Sequence, residues 1–189
     1  MPQARLLSFE FITLCMITFL SLCNVAVFYN FHLYLQSLGL SGKEGGFIIG
    51  LYSLTAMALY LTVSRHVRID NAFTGMFTGI LLVAGCGIAY LFFDNFWSLG
   101  LIRIVSGIGM FLVMSSCMVV FVSIIPPEKT GSAFSLYSVA MLTPYSIMPA
   151  ISEMIGASLG APVRLYAITA ALLLPAGLLV WVMKRRRGE

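Results

Sequence analysis

Phe96-Trp97-Ser98-Leu99-Gly100-Leu101-Ile102-Arg103-Ile104-Val105-Ser106-Gly107-Ile108-Gly109-Met110 opens an apolar run that continues to about Ile125. A bilayer-spanning helix needs roughly 20 apolar residues, and this run supplies them. One charge stands inside it. The guanidinium of Arg103 stays protonated in a protein, so a partner, a carbonyl or water must meet it. Leaving such a group in lipid costs about 2.5 to 17 kcal/mol, depending on how the bilayer adapts. A charge at that depth is a functional-site candidate by default, and a structural lock between helices is the alternative. With Gly107 and Gly109 it forms an Arg-x-x-x-Gly-x-Gly run at the head of the helix.

The rest of the chain fits the same environment. Of its 189 residues, 60% are hydrophobic and 10% charged. Soluble domains carry about 25% charged residues. Apolar length and the Gly, Pro and charged breaks predict six spans, at about 9–38, 44–64, 72–93, 96–125, 130–155 and 163–183. They use the whole length as one bundle, 1–189, with no room for a soluble domain. The first apolar run is much longer than a signal-peptide core, which predicts an uncleaved span. Period-2 alternation is missing, so the spans are helices and the fold is an all-α membrane bundle.

Basic residues set the orientation. One side holds eight of them (Arg5, Arg65, Arg68, Lys129 and the tail Lys184-Arg185-Arg186-Arg187), and the other holds Lys43 and Arg164. The positive-inside rule then places both termini in the cytoplasm, in a plasma or inner membrane. This asymmetry accounts for the net charge of +4 without nucleic acid as a partner. The tail serves as a stop-transfer anchor, with anionic headgroups as an added binding partner.

Gly42, Gly46 and Gly50 share one face of span 2, and Gly75 and Gly79 repeat the spacing in span 3, so both faces are expected to pack against other helices. Cys15, Cys23, Cys86 and Cys117 all lie in apolar spans without Cys-x-x-Cys spacing. They read as small hydrophobes, with no disulfide framework and no metal site. His32 and His66 fall at opposite faces and share no ligand spacing. No Gly-x-Ser-Gly nucleophile with a deep histidine exists, which argues against an intramembrane protease. Met148-Pro149-Ala150 lacks the Asn of an aquaporin cap.

Four stretches, in order, resemble the major facilitator superfamily of secondary transporters. They are the span 1 exit Phe31–Ser41, the loop around Arg65 and Arg68, the Arg103-Gly107-Gly109 run, and the turn Pro126-Pro127-Glu128-Lys129-Thr130-Gly131. The family has Pro where His32 stands. Its loop after span 2 carries two glycines and an Asp that are Tyr60, Val67 and Ser64 here. Of the antiporter run in span 5, only Pro144 is present. The resemblance implies the amino-terminal half of a twelve-span fold, a 3+3 inverted-repeat bundle whose substrate site lies between two halves. It leaves open whether the chain is a piece of a longer protein, one half of a split transporter or a homodimer protomer. It implies a proton as the coupling ion, if any, and no other cofactor. It also makes Arg65 and Arg68 part of a gating loop.

Several residues join Arg103 as candidates for substrate binding or coupling. Counting about 1.5 Å per residue puts Arg103 about 10 Å deep, level with Tyr29 and Asn30, whose amide is expected to accept from the guanidinium. Glu153 is expected within reach of Arg103 as a proton-binding partner. Asn24 lies mid-span with Phe28 on its face, suited to a small organic solute. Tyr137, Met141 and Tyr145 form a stripe in span 5 that suits either an adaptable pocket or core packing. The functional expectation is secondary transport of a small solute by alternating access, with proton-coupled efflux as one form. A non-transporting six-helix subunit that stabilises or recruits a membrane protein is the rival.

Overall fold

Eight α-helices joined by short turns build the six spans of the computed structural model, which describes residues 7–159 and 162–188, with side chains described outside 156–162. Span 1 is α1 (Phe9–Ala26), a 3-10 turn (Val27–Asn30) and α2 (Phe31–Ser37). Spans 2, 3 and 4 are α3 (Gly42–Thr62), α4 (Ile69–Ala89) and α5 (Phe96–Ile124). Span 5 is α6 (Thr130–Leu159), and span 6 is α7 (Pro162–Ala171) continued by α8 (Leu173–Arg187). All six are long and apolar enough to cross a membrane, and no strand occurs among the described residues. Arg5 lies outside the described residues. α6 runs on to Leu159, through part of the small-residue stretch expected to be a loop. Gly, Ala and Ser are well tolerated in membrane helices, and no proline interrupts the chain between Pro149 and Pro162.

Polar caps start these helices. Ser8 accepts from the Phe11 amide at 3.2 Å, and Asn95 accepts from that of Ser98 at 2.9 Å. At α3, the Ser41 hydroxyl accepts from the Glu44 amide while Glu44 accepts from the Ser41 amide, a reciprocal capping box. Each satisfies backbone donors that lipid would leave unbonded.

Packing follows a repeat. Span 1 packs on spans 4, 5 and 6, and span 4 packs on spans 1, 2 and 3, while span 3 meets span 6. Exchanging spans 1–3 with 4–6 maps these main contacts onto themselves, the neighbour pattern of a 3+3 arrangement, while smaller contacts of span 1 with span 2 and of span 5 with span 6 lie outside it. Glycines of spans 3 and 4 make the close approaches. A Cβ on Gly107 would lie 2.7 Å from the Tyr52 carbonyl of α3, and one on Gly109 would lie 3.0 Å from the Gly79 carbonyl of α4. The two glycines therefore seat span 4 against both neighbours, which a side chain would prevent. Gly75 likewise faces Ser116 of span 4. The core divides into two clusters. One, around Phe11, Met76, Phe121 and Tyr137, lies toward the end carrying the termini. The other, around Phe31, Tyr90, Leu99 and Tyr166, lies toward the opposite end.

Burial is uneven. The apolar windows of spans 1 and 4 are each 61% buried, against 11% for span 2 and 17% for span 5. Spans 1 and 4 are thus central, and spans 2 and 5 are peripheral. This corrects one expectation. Nothing lies within 4 Å of a Cβ placed on Gly42, Gly46 or Gly50. The spacing makes a smooth face, but span 2 meets span 4 through its other side, at Tyr52 and Thr55.

Candidate functional site

Arg103 is 6% exposed, on the face of α5 that meets span 1. Its guanidinium carbon lies 3.9 Å from the Phe31 ring centroid and 4.4 Å from that of Phe28, with the Tyr52 ring at 5.9 Å. The tight winding of Val27–Asn30 in span 1 carries Phe28, and Phe31 follows immediately. The aromatic faces attract the cation electrostatically, about 2 kcal/mol each where water is excluded. Phe28 stacks on Tyr166 at 4.2 Å, and Phe31 packs edge-on against Tyr90 and Tyr166. The charge thus sits at the edge of an aromatic box contributed by spans 1, 3 and 6.

Hydrogen bonding does not complete the compensation. Among the described residues, neither the buried Nε of Arg103 nor the buried Tyr90 hydroxyl has a hydrogen-bond partner. Among the described residues no Asp or Glu pairs with Arg103. A cavity of about 10 Å³ adjoins it, bounded by Asn24, Phe28, Tyr52 and Ser106. That is about enough for one water. The Asn24 amide, nearly fully buried, donates to the Thr169 hydroxyl at 3.5 Å, the long limit of such a bond.

The other expected partners lie elsewhere. Asn30 does not accept from Arg103; its amide donates to Glu153 at 3.5 Å in an exposed contact. Glu153 is exposed and engages Asn30 rather than the guanidinium. Depth alone did not determine which residue of span 1 faces Arg103, because the tight turn alters the helical phase and presents rings instead of the amide. Tyr137 is 2% exposed, shares a 2.9 Å hydrogen bond with Thr18 and packs on Phe121 at 4.3 Å. It belongs to the core rather than to a pocket wall, and Met141 packs against that same core. Tyr145 is half exposed. The stripe is therefore split between core and open face.

Arg65 and Arg68 are exposed in the loop between α3 and α4. Asn71 ties that loop down, donating to the His66 carbonyl and accepting from the Arg68 amide, both at 2.9 Å. His32 and His66 are exposed at opposite ends, and among the described residues no cluster of His, Cys, Asp or Glu could hold a metal. Tyr52, Ser106, Tyr90 and Tyr166 were not singled out from the sequence. Tyr52 and Ser106 line the cavity, while Tyr90 and Tyr166 form the box. A Phe-x-x-Phe pair level with a buried arginine was the one available signal. Tyr52, Tyr90 and Tyr166 come from three other spans at no sequence spacing that marks them.

A central buried arginine on a glycine-seated fourth span, within a 3+3 packing of six spans, describes a transporter half. The family model described as Major Facilitator Superfamily matches residues 10–189. The chain belongs to the major facilitator superfamily. No curated protein matches it. Membership gives the general activity, movement of small solutes by an integral membrane protein, and it covers every span described above.

Proposed function

We propose that this superfamily bundle forms one wall of a solute pathway and works by alternating access against a second six-helix bundle. That second wall is another part of the same protein, a separate half or a second copy of the chain. Arg103 carries this reading: a charge held among aromatic rings beside a cavity the size of about one water, with no counter-ion among the described residues. Such an arrangement is costly to maintain for packing alone. The large exposure of spans 2 and 5 supports a second bundle alongside. In this scheme Asn24, Phe28 and Tyr145 face the solute with Arg103, while Asn30 and Glu153 form a polar pair at the rim. Arg65 and Arg68 occupy the gating loop. The termini face the cytoplasm, and transport is efflux coupled to protons where a coupling ion is used.

The exposed Gly42, Gly46 and Gly50 face favours a second reading, a non-transporting subunit that docks another membrane protein. Cysteine substitutions at Asn24, Arg103 and Tyr145, labelled in membranes with and without solute, separate the two. Protection by a small solute supports transport, and protection by a protein partner alone supports the subunit. Full uptake by a correctly inserted Arg103→Ala variant would falsify the role given to Arg103.

A further inference from the structure

We propose that the site at Arg103 selects an anion, gripping the carboxylate or equivalent acidic end of a small solute; this rests on the reading that the bundle lines a solute pathway. The charge inventory points there. Among the described residues, Glu10 pairs with Arg187, while Lys43, Glu44 and Glu153 are exposed near the ends of their spans. Arg103 is the one charge in the buried interior, and its Nε is unbonded.

The lining matches an acceptor. Around the cavity stand the amide of Asn24, the hydroxyls of Tyr52 and Ser106, and the guanidinium of Arg103. All carry donors, the amide and the hydroxyls can also accept, and no carboxylate is among them, so the fixed charge of Arg103 sets the preference. A cation brought to this point meets an uncompensated like charge in a low-dielectric setting, whereas a carboxylate meets charge-assisted donors. The Phe28 and Phe31 rings crowd the guanidinium from two adjacent sides, and its Nε has no partner among the described residues, so Nε is a donor left for an acid oxygen. A cavity of about 10 Å³, the room of about one water, marks where one oxygen of the acid sits. The remainder of the solute extends past Phe28 and Tyr52, which are only partly buried. Small monocarboxylates with a compact or aromatic body fit this description.

The test uses the intact chain in detergent or proteoliposomes with acetate and benzoate as probes, and acetamide and benzamide as their neutral counterparts. At least one acid should raise the unfolding temperature and bind about tenfold or more tightly than its amide. Arg103→Gln should lose that difference. Asn24→Asp should lose it too, because it supplies a fixed carboxylate at the cavity. Should both variants fold poorly, the Arg103 side-chain nitrogen resonances of the wild type decide. They shift on adding the acid and stay put on adding the amide. No acid-specific shift in the wild type, or an equal acid response in wild type and Asn24→Asp, overturns the proposal. Acid binding with no uptake of any solute by the assembled protein removes the transport reading and leaves the anion site standing. Uptake indifferent to the acids does the opposite.

Discussion

Replacing Gly79 by Ala tests how closely spans 3 and 4 are seated. The new methyl would lie 2.5 Å from the Gly109 carbonyl oxygen, 2.8 Å from Val113 Cγ2 and 3.0 Å from the Val113 amide nitrogen. Ordinary contact begins at 3.4 Å, so α4 and α5 must separate by about 0.9 Å. Two of the three obstacles are backbone, which cannot rotate aside. Overpacking of this kind costs about 1–3 kcal/mol. Alanine also favours a helix over glycine by up to about 1 kcal/mol, which offsets part of the loss. Gly50→Ala supplies the control: nothing lies within 4 Å of its Cβ, so only the helical gain remains. The difference between the two variants is therefore about 1–3 kcal/mol, a factor of roughly 5 to 150 in the folding equilibrium. Equilibrium unfolding in mixed micelles by graded addition of a denaturing detergent reads that difference directly. Equal stability of Gly79→Ala and Gly50→Ala refutes the close approach on which the fourth-span glycines are explained.

Three other variants probe the rest of the bundle. Tyr137→Phe breaks the buried hydrogen bond to Thr18 and should cost about 1–2 kcal/mol by the same unfolding assay, with part regained in the Thr18→Val, Tyr137→Phe double variant. Ser116→Ala removes a fully buried hydroxyl that has no partner, so stability should rise by about 1 kcal/mol; a loss instead means the hydroxyl is bonded in the membrane. Glu10→Gln breaks the 3.3 Å contact with Arg187, both side chains being partly exposed, and should cost less than about 1 kcal/mol. That small effect should vanish at high salt, and an undiminished one counts against a screened pair.

What the sequence reveals here depends on the kind of information each feature needs. Span count and helical class follow from composition and length, because lipid leaves few backbone options. The importance of Arg103 follows from charge in an apolar run. Gly75 and Gly79 do meet span 4, and Gly42, Gly46 and Gly50 meet nothing among the described residues, yet their spacings are alike. A four-residue repeat of small side chains describes a helix surface and is silent on which way that surface is turned. The same limit explains Asn30 and Glu153. Level was readable by counting along the helix, while azimuth depended on a local departure from α geometry that no residue between Val27 and Asn30 announces. Tyr52 illustrates a third limit. It is one aromatic in an apolar span, and only the three-dimensional neighbourhood makes it part of the site.

The four residues Val27–Asn30 join two α-helical pieces of span 1. A 3-10 winding advances about 120° and 2.0 Å per residue, against about 100° and 1.5 Å for an α-helix. Across four residues the two windings differ by about 80° of twist and about 2 Å of length. A change from one winding to the other would therefore rotate α2 about the span axis. Recoiling the segment would turn and retract α2 as one piece, and the Phe31 ring, at the head of that piece, would move away from the guanidinium in the same movement.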